Sequence, residues 1–324
     1  MSRESEKNIL STVDNIISTV ENFLNENNIK NKNIILGFSS GPDSTALALI
    51  VNELKEKLNL NITLAYFNHG WREEAKEEEF FTKEFAKKYG FDVIIKKAPK
   101  NSLKTEEIAR ELRYEFFENC AKKQKTDVVL LAHNKNDNIE TLVYRVIKGT
   151  SIKGLCAIPS KRGIYYRPLL EVLKSDILEF LNIKNQEYKI DLSNKDTKYK
   201  RNLIREEILP MFEKINPNYV NNIEILIKNA ISTREIVEKE LNELKNEVFN
   251  GEILIQDKFL SKTKAQRYEI LNDFLGDNLK YRNYKNIKKF DDFILENKHS
   301  KISVNKKLFL EIKKNKIYYK EAKL

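Results

Sequence analysis

Along the first two thirds of the chain, apolar residues recur with two periods that take turns. Residues 8–25 space their apolar positions as an amphipathic helix does. Short apolar runs at 33–38, 62–67, 91–96 and 127–132 then read as buried strands, separated by helical patterns near 44–57, 75–89, 103–124 and 137–148. Such alternation predicts an α/β fold with a doubly wound parallel sheet, whose ligands bind outside the carboxyl ends of the strands. A short strand at 163–168 and a helix at 174–183 follow. Past Pro210 the rhythm changes. Residues 217–247 read as one long charged helix, 264–275 and 283–296 as shorter ones, and Lys301 to Tyr319 alternates like a β hairpin. The expected organisation is therefore an α/β domain over 1–210 and a mainly helical domain over 211–324 that ends in a hairpin.

The residues with the most chemistry fall where these strands end. After the first strand come Ser39, Ser40, Gly41, Pro42, Asp43 and Ser44, a turn leading straight into a helix. A strand-to-helix junction offers free backbone N–H groups at the positive end of a helix, an anion site. The serine hydroxyls add donors, and Asp43 is placed to hold a cation that shields phosphates. No lysine follows Gly41, so the Walker P-loop pattern fails. A capped helix start without ligand remains the plain alternative. Asn68 and His69 close the second strand, and His133 the fourth. Asp137 and Glu140, three apart at a helix start, share one face and suit an ammonium group, although acids there also stabilise the helix dipole. Further on, Arg201 and Arg205 stand four apart at a helix start, a spacing suited to phosphate.

Composition narrows the class. The chain has 324 residues, 41% hydrophobic and 33% charged, which suits a globular protein and no bilayer-spanning run. Met1 to Lys7 alternates in charge and does not read as a signal peptide. The two cysteines, Cys120 and Cys156, form neither a CxxC pair nor a zinc pattern, and a reducing cytoplasm is the expected setting. Residues 261–324 hold 17 Lys and Arg against 8 Asp and Glu, which leaves 41 basic and 40 acidic residues for positions 1–260. A basic tail of this kind points to a polyanion partner, and Lys306, Lys307, Lys313 and Lys314 are its candidate contacts. The sequence does not fix an oligomeric state, and a homodimer is one assembly it allows.

In order, the motifs read SSGPDS, NHGWR, an acid- and arginine-rich helix ending in Arg113-Tyr114-Glu115-Phe116-Phe117, AHNKNDNIET, RPLL and DLSNKDTKYKRNLIR. The first resembles the pyrophosphatase (PP) loop, SGGxDS, of enzymes that split ATP into AMP and pyrophosphate. The set as a whole resembles the tRNA(Ile)-lysidine synthetase family, in a short form, densely over residues 33–210. Four positions depart from that pattern: Ser40 replaces a glycine, Asn134 a histidine, Asn136 an aspartate and Asn138 a glutamine.

The resemblance implies ATP and Mg2+ as cofactors, and free L-lysine and a tRNA(Ile) with a CAU anticodon as substrates. The implied reaction is adenylation of the wobble cytidine at C2, followed by displacement of AMP by the lysine amine. Ser39, Ser40, Gly41, Pro42, Ser44, Asn68, His69 and His133 would then hold nucleotide, with Asp43 as metal anchor. Asp137 and Glu140 would hold lysine, and Arg113, Arg201 and Arg205 would steady substrate or phosphate charge. A tRNA thiolase and a non-catalytic RNA-binding protein are the alternatives. A thiolase would call for a pair of catalytic cysteines or a cluster, and Cys120 and Cys156 offer no matching pair.

Overall fold

The computed structural model describes residues 3–68, 75–99, 105–190, 200–250, 252–275, 284–296, 301–303 and 308–321. After α1 (Arg3–Glu26), β1 (Asn33–Phe38), β2 (Asn61–Asn68), β3 (Asp92–Lys97) and β4 (Val129–Leu130) are joined by α2 (Pro42–Leu58), α3 (Ala75–Tyr89) and α4 (Glu106–Lys123). Next come α5 (Lys135–Lys148), α6 (Ile152–Leu155), β5 (Lys161–Arg162), β6 (Tyr165–Tyr166) and α7 (Lys174–Ile183). The sheet runs β3-β2-β1-β4-β6-β5, with every pair parallel except β5 and β6. Because β2 and β3 lie to one side of β1 and β4 to the other, the winding reverses between β1 and β4. An open α/β sheet leaves a crevice at that point, outside the strands' carboxyl ends. The expected doubly wound sheet is what forms.

The period of two in β1 builds both halves of the core. Ile34, Leu36 and Phe38 face α1, α2 and α7, packing with Val20, Leu24, Leu47, Ile177 and Phe180. Ile35 turns to the other face with Phe116, Phe117, Cys120 and Leu131. Gly37 lies on that second face, where a Cβ would come within 3.0 Å of both Phe117 and Leu131. A strand buried on both faces needs apolar side chains at every position, which is why these runs do not alternate. α2 begins with Pro42 in its first turn and ends at Asn59, in the left-handed conformation with φ 50°.

The expected strands at 127–132 and 163–168 shrink to two-residue ladders, Val129–Leu130 and Tyr165–Tyr166. Backbone bonds still continue the pairing, from Ile35 N to Val128 O and from Leu131 N to Tyr166 O.

The chain divides into two compact units, Met1–Lys228 and Asn229–Leu324. The division falls inside α10 (Tyr219–Val248) rather than near 210. Ahead of it, α8 (Lys200–Leu203), a π-helical turn (Ile204–Ile208) and α9 (Leu209–Ile215) follow one another without a break. Ile204, Leu209, Phe212 and Tyr219 pack on Ile139 and Val143 of α5, which keeps this stretch in the first unit.

In the second unit, α11 (Gln256–Leu260), α12 (Lys264–Leu275) and α13 (Tyr284–Leu295) accompany an antiparallel sheet. Its strands are β7 (Phe249–Asn250), β8 (Ile253–Ile255), β9 (Lys301–Ser303), β10 (Leu308–Lys313) and β11 (Lys316–Glu321), in the order β7-β8-β11-β10-β9. The expected hairpin, β10–β11, is the middle of that sheet. Its turn, Lys314-Asn315, has φ 49° and 61°, positive at both residues as a tight hairpin turn requires. Among the described residues, no helix is long and apolar enough to cross a membrane.

Arg267 joins α12 to α13 through Asp291, with Nε and Nη2 at 2.7 and 3.0 Å from the two carboxylate oxygens. Asp291 is buried, at 2% exposure, and Arg267 is mostly covered, at 11%. Removing one partner strands the other charge, so Asp291→Ala is expected to destabilise this unit by about 3–5 kcal/mol in urea unfolding. The paired change Arg267→Met with Asp291→Leu should cost less than the single one.

Candidate active site

Two loops flank the crevice, one after β1 and one after β4. In the first, Ser40 is fully buried and has φ 62°, in the left-handed region that favours glycine. Its hydroxyl is 2.9 Å from that of Thr82 and donates to Glu78 O at 3.3 Å, both on α3. Its carbonyl accepts from Lys189 N at 2.8 Å. Bonds on both sides of the residue hold the strained dihedral in place. Beyond it, α2 starts at Gly41 with no side-chain cap. Ser44 Oγ donates to Gly41 O and accepts from Ser39 N, each at 3.1 Å, and lies 3.1 Å from Ser39 Oγ. Two hydroxyls thus gather at the positive end of a helix, a fit for phosphate oxygens.

Asp43, in the first turn of α2, is the junction of the two loops. Its Oδ1 accepts from Asn134 Nδ2 at 2.9 Å, and both carboxylate oxygens accept from Lys174 Nζ at 2.7 Å. Asn134 also caps α5, accepting from Asp137 N, while Asp137 Oδ2 accepts from Asn134 N, both at 3.0 Å. This capping box sets the first turn of α5. Asn136 Oδ1 accepts from Lys174 N at 3.0 Å, and Asn138 Oδ1 from Ile158 N at 2.8 Å.

One turn further along α5, Glu140 is 1% exposed and receives Arg205 in bidentate fashion, Nε at 2.6 Å and Nη2 at 2.9 Å. Asp137 Oδ1 lies 4.0 Å from the same guanidinium. Burial raises the Glu140 carboxyl above its ordinary range against the pull of Arg205, and the bond to Glu140 raises Arg205. Arg201 Nη2 donates to Thr141 Oγ1 at 3.0 Å. The two arginines therefore both lean on α5, across the π-helical turn. π turns recur at functional sites.

His133 Nδ1 is buried with no hydrogen-bond partner among the described residues. Burial pushes the imidazole down to about 3, helped by the positive charges of Arg167, Arg113, Arg201 and Arg110. Four guanidiniums acting on one imidazole give this side of the crevice a positive potential.

The PP-loop domain family matches residues 12–212. The tRNA(Ile)-lysidine synthase of Petrotoga mobilis is 34% identical over 252 residues, which cover 72% of this chain and 81% of that protein. The chain belongs to the tRNA(Ile)-lysidine synthase family of PP-loop proteins. The Clostridium perfringens member is 32% identical over 286 residues, 84% of this chain, and the chain spans 61% of its length. Among solved structures, a U34-tRNA thiolase from Methanococcus maripaludis shares the fold, with a TM-score of 0.56 at 17% identity over 69% of this chain and 80% of that one.

Of the residues singled out from sequence, Asp43, Asp137, Glu140 and Arg205 come together around the starts of α2 and α5. Ser39 and Ser44 form the loop, and Asn68, buried at the end of β2, lies 3.5 Å from Glu79 Oε2 through its Nδ2. Arg113 lies on α4, among the charges that act on His133. The expected phosphate-holding role of paired Arg201 and Arg205 meets a different geometry, since each donates to α5 instead. His69, Lys306 and Lys307 lie outside the described residues, as does the run 191–199. Lys313 and Lys314 are exposed at the β10–β11 turn, in the second unit.

Sequence reasoning missed Lys174, Thr82 and Arg167. Arg167 is 4% exposed and donates through Nη1 to Pro159 O at 2.8 Å. Its place in RPLL was the available signal. Thr82 and Lys174 carried none, because each acts on a residue far away in the chain.

His133 sets a pH dependence. A base whose pKa is lowered by folding contributes stability that is complete above its ordinary value of 6.5 and is lost as pH falls from there towards 3. The melting temperature of the wild type should therefore fall relative to that of His133→Gln between pH 7 and pH 4. Above pH 7 the difference between the two should stay constant.

Proposed function

We propose that the chain ligates free L-lysine to C2 of the wobble cytidine in a tRNA(Ile) with a CAU anticodon, through an adenylated cytidine, releasing AMP and pyrophosphate in the cytoplasm. One observation carries the reading beyond family membership: the PP loop and the paired acids of α5 are tied together at one point, Asp43 to Asn134. A nucleotide phosphate at Ser39–Ser44 and an amine at Asp137 and Glu140 would then meet in the same crevice.

The geometry supports an ammonium there. Glu140 takes both bonds of Arg205, while Asp137 Oδ1 stands 4.0 Å from that guanidinium and is the carboxylate oxygen better placed to receive the ε-ammonium of lysine. That amine arrives protonated and must lose a proton before it attacks. One of the two carboxylates would take that proton as AMP is poised to leave. Ser39, Ser44 and the start of α2 would bind the pyrophosphate as the α-phosphate is attacked by the cytidine O2.

Among the described residues no group of three or more His, Cys, Asp or Glu is arranged to hold a metal ion. One carboxylate is nonetheless what Mg2+ asks of a protein when phosphates and water complete its shell, and Asp43 fits that demand. When bound, the ion would neutralise phosphate charge. The cysteines favour no sulfur chemistry: both are buried, and burial pushes the Cys120 thiol up to about 11.

For the tRNA, the basic hairpin is the proposed docking element. Lys313 and Lys316 sit directly opposite each other at its end, a like-charge pair that repels unless an anion lies nearby. Lys306 and Lys307 are further candidate contacts from the sequence.

The deciding assay is incorporation of labelled lysine into tRNA(Ile) against tRNA(Met), both with CAU anticodons. Incorporation is expected only into the isoleucine species, and ATP breakdown without lysine transfer to either would refute the reading. Asp137→Asn and Glu140→Gln should raise the KM for lysine by about tenfold or more while changing that for ATP far less. Neutralising Lys306, Lys307, Lys313 and Lys314 together should weaken tRNA binding and flatten its salt dependence, by about 0.7–0.9 in log–log slope for each phosphate left without its lysine. Discrimination between the two tRNAs should survive that change, because phosphate contacts position the RNA without reading it.

A further inference from the structure

Lys174 occupies the first position of α7, where the helix dipole disfavours a cation. Helix stability therefore does not account for an ammonium at this position. Its backbone is fixed: Asn136 holds the N–H at 3.0 Å, and Ile177 and Phe180 of the same helix are fully buried in the core. Its side chain is not, being 32% exposed where it meets Asp43, itself 28% exposed. The base is rigid, and the ammonium stands within reach of solvent and of anything that enters the loop.

The ammonium sits 2.7 Å from both oxygens of Asp43, on the carboxylate that a divalent cation would take. Ser39, Ser44 and the uncapped start of α2 are on the same loop as that carboxylate.

We propose that Lys174 is a built-in counter-ion of the nucleotide site, which neutralises Asp43 until a divalent cation claims the carboxylate and then contacts the polyphosphate. The inference rests on the reading of the PP loop as an ATP site. No bond is made or broken; one ammonium exchanges a carboxylate for phosphate oxygens. A strap that merely ties α7 to α2 would need the same ion pair but would have no part in binding.

Binding measurements on the full chain separate the two. Mn2+ alone, followed by electron paramagnetic resonance, should bind Lys174→Met several-fold more tightly than wild type, because its competitor has gone. With Mg2+ at a concentration that saturates the Asp43 carboxylate in both proteins, ATP should bind the same variant about tenfold or more weakly, and Lys174→Arg should recover most of that loss. Asp43→Asn should abolish Mn2+ binding with or without Lys174. Unchanged ATP affinity in Lys174→Met would overturn the proposal, as would Mn2+ binding that weakens, the mark of a strap that holds Asp43 in place. If Lys174→Met does not fold, Lys174→Gln takes its place in both measurements. Wild-type protein that binds neither ATP nor Mn2+ would sink the ATP-site reading and this inference with it, whereas ATP binding that is normal in every Lys174 variant sinks the inference alone.

Discussion

The carboxylate of Asp43 accepts a hydrogen bond from Asn134 at the start of α5, Asn136 beside it receives the backbone N–H of Lys174 at the start of α7, and the backbone of Asp43 itself opens α2. Three helix N-termini are thereby fixed against one another at the point where the sheet reverses its winding. Elsewhere in the sheet, packing decides position to within the tolerance of apolar side chains. Here charged and directional contacts set it, and they do so at the edge where parallel strands leave their crevice. The left-handed dihedral of Ser40 is part of the same construction, because it turns the chain from β1 so that Asp43 falls between the two loops.

From this junction the effect passes along α5. The capping box of Asn134 and Asp137 fixes the first turn, and the first turn fixes the face on which Glu140 is carried. Burying a carboxylate to 1% exposure is costly unless a cation meets it, and Arg205 does so with two bonds. Arg205 reaches it from a π-helical turn, which puts one extra residue into the helix between Arg201 and Leu209. The irregular turn and the buried acid thus belong to one arrangement. A regular helix through 200–215 would present Arg205 at a different angle to α5.

Much of this was legible beforehand. The two periods along 1–190 marked the strands, and placing His133 and the PP loop at strand ends located the crevice. What stayed hidden has physical reasons. Lys174 and Thr82 are single residues on helix starts or faces, and their partners lie 131 and 42 positions away. Strands of two or three residues such as β7, β8 and β9 are too short to show a period, so the second unit read as helices with a hairpin. Pro210 read as a break. The helix runs on through it instead, just after the π-helical turn, and the apolar face on either side of it packs on α5. Asn134 registered only as a departure from the family's histidine, although Asn-x-x-Asp before an apolar run is itself a helix-start signal.

The four departures from the family pattern bear on whether this crevice retains chemistry. A site released from its function accumulates changes whose polar atoms find no partner, since nothing selects for one. Each departure here has acquired a definite bond. Ser40, where glycine is usual, meets Thr82 and Glu78. Asn134 joins Asp43 to the start of α5, Asn136 holds the start of α7, and Asn138 receives Ile158 N. Two of the four residues, Asn134 and Asn136, bond directly to Asp43 and to Lys174 rather than to distant packing. Short amides and hydroxyls thus make up the shell around these acids. Residues that position reacting groups are free to change identity as long as the position holds, whereas the reacting groups are not. In the proposed reading Asp43, Asp137, Glu140 and Arg205 are such groups, and each matches the family motif.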